Sequence, residues 1–467
     1  MFTLDTSLIS NLAGLSPLAS EFDLDLLLLK ALEKKGLSLE ESAKLLAIDG
    51  KNNPAQLEKL LQTAGKLKRD IYGNRLVLFA PLYISDYCVN DCEYCGFHCR
   101  NQQMKRTRLT QDQVRLETGH IIRMGHKRIL LESGEHPENS IDYVCDAIKT
   151  IYSTKVGNGE IRRVNVNIAA TSIDNYRKLK DIGIGTYQLF QETYHKPTYE
   201  RLHKGPKADY SRQITAHERA FEAGLDDYGM GVLFGLYDYK FEVLALLSHA
   251  RYMEETHGVG PHTISVPRFQ PAPGVVYSSD FPVSDVEFLK LIAVIRLSLP
   301  YTGMIISTRE SPEIRKKAFE IGISQTSAAS KTSPCGYSGA NPLDNGGNIG
   351  QTNKQFELSD HRSVDEIVEN ICSQDMLPSF CTACYRSKRT GETFMKLAKA
   401  GNIHYLCHPN AILTFKEFLE DYATEKTKKT GEATITRELE RIETDERKQE
   451  TKIRLKRIED GERDLFF

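Results

Sequence analysis

The chain has 467 residues, 40% of them hydrophobic, and 61 Lys and Arg against 63 Asp and Glu. That length exceeds one small core and predicts a barrel-sized catalytic domain with additions. The even charge leaves no basic stripe for nucleic acid. DLDLLLLKAL near the start is too short and too charged to span a bilayer, and MFTLDTSLISNLAG has no cationic flank. The expectation is a soluble cytoplasmic protein with no nucleic-acid or membrane partner.

In chain order, residues 20–70 predict helices. FDLDLLLLKALEKKG carries apolar residues on one face and is expected to end at Gly36, and SLEE at 38–41 reads as a capping box built on Ser38 and Glu41. Then apolar strand-like runs alternate with amphipathic stretches. The runs fall at 76–84, 128–133, 163–170, 185–191, 228–235, 262–269, 304–310 and, weakly, 322–328. Helices are expected at 111–124, 139–153, 209–223, 240–256, 283–297 and 312–321. This alternation predicts a parallel sheet, and eight units predict closure into a (β/α)8 barrel. An open doubly wound sheet shares the alternation, but no G-x-G-x-x-G fingerprint follows the first strand. The expected division is an N-terminal helical extension (1–74), the barrel (75–344) and a mainly helical C-terminal domain (345–467). The Gly/Asn/Ser-rich stretch after 338 reads as a loop. The Glu/Lys/Arg-dense tail from 423 reads as a solvated helical surface.

The chemistry lies in the ten cysteines. Cys88, Cys92 and Cys95 form C-x3-C-x2-C directly after the first strand, at the barrel mouth where active sites of this fold lie. Three thiolates on a short loop hold three corners of a 4Fe-4S cluster and leave the fourth iron open. The bland alternative is a zinc site completed by His98 or Cys99. Cys381, Cys384 and Cys407 form a second set, C-x2-C-x22-C. Spacing alone leaves two readings: structural zinc completed by His404, or an auxiliary iron–sulfur cluster. Cys99, Cys145, Cys335 and Cys372 fit neither motif and read as small apolar residues.

C-x3-C-x2-C with Tyr94 before the last cysteine resembles the signature of the radical S-adenosylmethionine (SAM) superfamily. The resemblance implies that SAM chelates the open iron and that one electron cleaves it to a 5′-deoxyadenosyl radical. ESGEHP at 132–137 resembles that superfamily's Gly-Gly-Glu motif. Ser133 replaces the first Gly, so Gly134 and Glu135 carry over as contacts to the SAM amino group. Tyr94 is expected near the adenine. Glu192, ending the fourth strand, is expected to face SAM or substrate. Arg212 is expected to meet the SAM carboxylate, or else to be an ordinary helix-surface cation.

The two cysteine sets together resemble the tyrosine-lyase family of FeFe-hydrogenase maturases. The likeness runs through GVGPHTISVPR, ISTRESPEIR and RLKRIEDGERDLFF. The tyrosine lyase of thiamine synthesis shares the barrel chemistry but lacks the C-terminal pattern. The family implies cleavage of L-tyrosine to p-cresol and dehydroglycine at the first cluster. It implies conversion of the fragment to CO and cyanide at a second cluster, at the opposite mouth, carrying a labile extra iron. It also implies a ferredoxin- or flavodoxin-type electron donor and other maturation proteins as partners. By residue type, Arg309 suits the tyrosine carboxylate, assisted by Ser307, unless it pairs with Glu310 or Glu313. His262 opens the sixth strand and is the expected ligand of the labile iron, with His257 its rival. Two other readings stay open: a thiamine-type lyase with a structural second metal, and a non-catalytic iron–sulfur carrier.

Overall fold

The computed structural model describes residues 1–16, 20–339, 353–399 and 403–467. Eight parallel strands close into a barrel. They are β1 (Arg75–Ser85), β2 (Arg128–Ser133), β3 (Arg163–Asn167), β4 (Tyr187–Gln188), β5 (Tyr228–Gly231), β6 (Thr263–Ser265), β7 (Gly303–Ile306) and β8 (Gln325–Ser327). Each pairs with the next, and β8 returns to β1 through Val77 opposite Gln325, Leu78 opposite Thr326 and Phe79 opposite Ser327. Every expected strand run overlaps one of these strands, the first strand running one residue past its expected run at each end and the seventh starting one residue early. The expected helices form between them, among them Gln111–Arg123, Ile141–Ser153, Tyr239–His257, Asp285–Ser298 and Pro312–Ile321. Thr110, Ser140, Asp238, Ser284 and Ser311 cap their first turns through side-chain oxygens.

The N-terminal helices lie against the barrel's outer layer. Pro54–Tyr72 packs along Asp285–Ser298, and one buried apolar core runs from Leu24 and Leu67 through Leu291 to Leu413 and Phe415. Ser38 and Glu41 form the expected capping box. Other details differ from expectation. The leucine-rich helix ends at Ala31, short of Gly36, because Leu32, Glu33 and Lys34 donate to Leu29, Lys30 and Ala31 in a tightened last turn. Lys34 then takes a left-handed φ of 65°. Nor are this helix's apolar residues confined to one buried face: Leu24, Leu27 and Leu28 are buried while Phe22, Leu26 and Leu29 are exposed. The stretch 209–223 forms two helices, broken at Thr215.

The C-terminal region is mainly helical but adds a ninth strand to the barrel's sheet, β9 (Leu377–Ser379). It pairs in parallel with Arg75, Leu76 and Val77 at the start of β1. The charged tail forms helices Glu425–Glu440 and Asp445–Glu459, and it is not wholly solvated. Thr427, Thr434, Glu438, Thr451 and Ile458 are buried, and Arg441 meets the Glu438 carboxylate at 2.5 Å. The expected boundary at 344/345 and most of the expected loop lie outside the described residues. Among those residues, no helix is long and apolar enough to cross a membrane.

Candidate functional site

The loop after β1 is built by backbone bonds that do not involve sulfur. The Cys95 N–H donates to the Cys92 carbonyl, Cys99 to Asn90, Asp91 to Lys204 and Gly96 to Gln355. Arg106 gives N–H bonds to the carbonyls of Asp86, Phe97 and His98 at 2.6–2.8 Å, clamping the loop from outside. The result turns Cys88, Cys92 and Cys95 toward a cavity of about 200 Å³ at the C-terminal mouth of the barrel. Burial pushes all three thiols up, Cys95 to about 11. Three thiols in apolar surroundings ionise when a metal displaces the proton. Both ring nitrogens of His98 are occupied, Nδ1 by Asp91 at 2.9 Å and Nε2 by the Gly274 carbonyl at 3.3 Å, and Cys99 is exposed, so neither is turned to complete a zinc site with the three thiols. Soft sulfur donors on one side of a roomy cavity fit an iron–sulfur cluster with one corner left to a cofactor.

Tyr94, Gly134, Glu135, Glu192, Ser307 and Arg309 line the same cavity. The Tyr94 hydroxyl is bonded to His203 at 2.7 Å. Gly134 lies where a Cβ would strike the Tyr87 carbonyl and come within 3.1 Å of the Cys88 Cβ, so only a bare backbone fits beside the cysteine loop. Glu135 accepts from Asn90 at 2.7 Å and from Arg212 at 2.5 Å. Arg212 is thus held on Glu135 and on the Ala170 carbonyl, behind the cavity wall. Glu192 has a φ of 68°, unusual for a residue with a side chain. Its carboxylate accepts from Lys207 at 2.6 Å.

The next residues hold that strained corner. Glu242, buried on the helix Tyr239–His257, accepts from the Thr193 hydroxyl and, at 2.8 Å, from the Tyr194 N–H. Burial pushes the Glu242 carboxyl up to about 8. An unfolded Glu titrates near about 4.3, so the native state holds an extra proton between these values. The associated stability is complete below the unfolded pKa and is lost as pH rises through about 8. Glu242→Gln is expected to remove this component. Its melting temperature, followed by circular dichroism across the window, should fall less with pH than the parent's. Parallel profiles would take Glu242 out of this account.

Arg309 follows β7 and is half-buried, its guanidinium carbon 3.2 Å from the centre of the Phe356 ring. No carboxylate pairs with it among the described residues. Glu310 is bound instead to Arg268 at 3.0 and 3.1 Å. Three further residues complete this end of the molecule: Lys207 and Arg106, which carry no motif in the sequence, and Glu132, which opens the ESGEHP run but carries no expected role there. Glu132, the penultimate residue of β2, accepts from Asn167 at 3.3 Å and faces the cavity, where burial pushes its carboxyl up to about 8. Each is a single charged residue whose role appears only once distant strands meet.

At the opposite end of the barrel, Cys381, Cys384, Cys407 and His262 line a second cavity of about 60 Å³. β9 delivers the first two cysteines, and the helix Ile403–Asp421 delivers Cys407. His262 immediately precedes β6. Its ring stacks on Phe394 at 4.1 Å, and its Nδ1 has no hydrogen-bond partner, standing 3.3 Å from Asp227. Burial pushes the imidazole down to about 4, which keeps it neutral, the form that binds metals. His257 packs on Phe221 instead, and His404 meets Glu443 at 3.0 Å in a separate cleft. Among the described residues no three His, Cys, Asp or Glu side chains gather as they would around a single ion. The three thiols line one cavity, Cys384 and Cys407 close enough to share a hydrogen bond, with the orphaned imidazole beside them, a soft donor set suited to zinc or to an iron–sulfur group. Cys145, Cys335 and Cys372 are buried as expected of small apolar residues, but Cys99 is exposed.

A parallel (β/α)8 barrel that presents three spaced thiols at its mouth, backed by the Gly134–Glu135 turn, defines a radical SAM enzyme, with a 4Fe-4S cluster and SAM as its cofactors. A radical SAM superfamily model matches residues 82–248, and a biotin and thiamin synthesis associated domain model matches 265–377. The crystal structure of HydG, a maturase of the FeFe-hydrogenase, superposes with a TM-score of 0.93 at 52% identity, covering 99% of both chains. HydG from Carboxydothermus hydrogenoformans gives 0.82 at 37% identity over 96% of this chain and 98% of that one. The 2-iminoacetate synthase of Salmonella typhimurium is 30% identical over 325 residues, 69% of this chain and 82% of its own. This chain belongs to the HydG family of maturases.

Proposed function

We propose that this enzyme cleaves L-tyrosine to p-cresol and a dehydroglycine fragment, and converts the fragment to CO and cyanide for an iron–CO–cyanide unit. That unit is destined for the FeFe-hydrogenase active site. In this reading Cys88, Cys92 and Cys95 hold the SAM-binding cluster. Cys381, Cys384 and Cys407 hold an auxiliary cluster, with His262 on a labile extra iron. The clusters and SAM supply the radical chemistry and the iron when bound. The protein supplies binding, orientation and exclusion of water. The barrel is assigned to residues 75–344, with the extension 1–74 before it and the auxiliary site in 345–467. A low-potential electron donor and other maturation proteins are the partners this activity requires.

The observation that carries the reading is Arg309. A half-buried guanidinium with no carboxylate in ion-pair contact among the described residues, facing the cavity that holds three thiols, is suited to a ligand carboxylate. Ser307 beside it adds a hydroxyl, and Phe79, Leu130 and Ile305 form an apolar floor for an aromatic substrate. Glu135 with Asn90 and Arg212, and Glu192 with Lys207, place fixed polar groups around the SAM position. The names of the relatives, a 2-iminoacetate synthase and HydG, are consistent with a two-carbon imine leaving the first site.

The direct test is anaerobic turnover with tyrosine, SAM and a reductant, scoring p-cresol, CO and cyanide together. Absence of p-cresol would remove the tyrosine reading. Arg309→Ala is expected to lower kcat/KM for tyrosine by about 2–4 kcal/mol, the usual loss when a desolvated charged pair is broken. SAM affinity should change little. An unchanged KM for tyrosine would mean that another group holds the carboxylate.

A further inference from the structure

The bottom of the barrel holds buried positive charge that the reading above does not use. Arg75 opens β1 and Arg128 opens β2, next to the second cysteine set, and both line its cavity. They are 6% and 8% exposed. A guanidinium buried to this degree ordinarily sits beside a carboxylate, because an unpaired cation is costly to desolvate. Arg163, the first residue of β3, has one: Asp227 at 3.8 Å. Arg75 and Arg128 have none among the described residues. Arg75 gives one N–H to the Tyr72 carbonyl at 3.0 Å. Arg128 gives Nη1 to Gln325 at 3.1 Å and Nη2 to the Cys381 carbonyl at 2.9 Å, and its Nε meets no acceptor. No Asp or Glu is among the described residues that line this cavity.

Negative charge on thiolates would account for cations nearby, since charge balance requires only proximity. It does not account for an N–H donor left without an acceptor in a buried position. The interior of the barrel also departs from the usual filling of branched apolar side chains. Asn165, Gln188, Gly229, Thr263 and Gln325 present polar groups or bare backbone between the two cavities, and Gln188 donates to Thr263 at 3.2 Å. Such a lining suits a small polar species better than an apolar one.

We infer that Arg128, together with Arg75, forms a carboxylate-binding subsite in the second cavity, which receives the small carboxylate released from tyrosine; this rests on the tyrosine-lyase reading above. A two-carbon imino acid is a monoanion at neutral pH with its reactive end away from the carboxylate. Held by the guanidinium at one end, it presents the other toward His262 and the thiols.

Glyoxylate, which forms with ammonia when that imine adds water, is a stable probe of the same length and charge. The full-length protein, carrying both clusters and with tyrosine filling the first cavity, is titrated with ¹³C-glyoxylate and followed by NMR line width. The parent is expected to bind it, and Arg128→Met to bind roughly tenfold more weakly or worse, the size of a charge-assisted hydrogen bond. Arg75→Met should weaken binding in the same direction, and Arg128→Lys should recover part of it. Iron content should match the parent's throughout. In turnover, p-cresol should hold steady while glyoxylate escaping per p-cresol rises in Arg128→Met. Binding in both Met variants equal to the parent's, or none in the parent, overturns the subsite. If Arg128→Met does not fold, Arg75→Met decides alone. A parent that binds glyoxylate but makes no p-cresol keeps the subsite and sinks the tyrosine reading. A parent that makes p-cresol while the Met variants bind normally does the reverse.

Discussion

Changing Cys88, Cys92 or Cys95 singly to Ala is expected to abolish 5′-deoxyadenosine formation while leaving the barrel folded. In the proposed reading each thiol supplies one corner of a three-ligand site, so losing one leaves too few sulfurs to hold a cubane cluster. The fold should survive because the loop is not held by its thiols. Arg106 on three carbonyls and the backbone bonds to Lys204, Leu202 and Gln355 position it independently. Chromatography of the SAM products, with an iron count and a thermal melt on the same sample, separates chemistry from folding. A variant that makes 5′-deoxyadenosine at the parent's rate would place SAM cleavage elsewhere.

The double substitution Cys381→Ser with Cys384→Ser is expected to divide the reaction. The first cavity shares no lining residue with the second cysteine set, and Tyr94, Arg309 and Glu192 lie wholly at the upper mouth. Formation of p-cresol should therefore stay near the parent's level, while CO and the iron–CO–cyanide product are lost. His262→Ala should act more mildly, weakening retention of the extra iron more than tyrosine cleavage. Gas detection by infrared spectroscopy beside p-cresol quantification reads both halves. If the double variant makes CO as well as the parent, the second set is structural.

The barrel was legible because its signal is local. Eight apolar runs separated by capped amphipathic helices are written in adjacent residues, and Ser284 with Glu287 or Thr110 with Gln113 mark their own helix starts. β9 was not legible. It has three residues, one of them Pro378, and exists only because β1 extends below the barrel and offers an open edge there. The site divides in the same way. Both cysteine sets are short-range spacings, and Arg309 is placed by following a strand. Lys207, Glu132 and Arg128 are isolated charges whose partners, Glu192, Asn167, Gln325 and the Cys381 carbonyl, lie well away in the chain. Arg212 shows the limit of residue type alone. The sequence supplies a cation here, but its contacts with Glu135 and the Ala170 carbonyl exist only in the fold. In the tail, Glu438 looks like one more solvated acid, and only the packing of the last helices buries it.

β1 has a consequence for how the two ends of the molecule communicate. At eleven residues it is the longest strand, and at about 3.3 Å per residue it is a rod of roughly 35 Å. The cysteine loop of the first site leaves its upper end, and its lower end carries Arg75 and the strand that delivers Cys381. Hydrogen-bonded on both sides, it fixes the spacing between the centres instead of letting a hinge set it. A fragment that passes between them within one barrel travels by a first-order step. Its yield per cleavage event then does not depend on how dilute the enzyme is, as it would if two separate proteins had to meet.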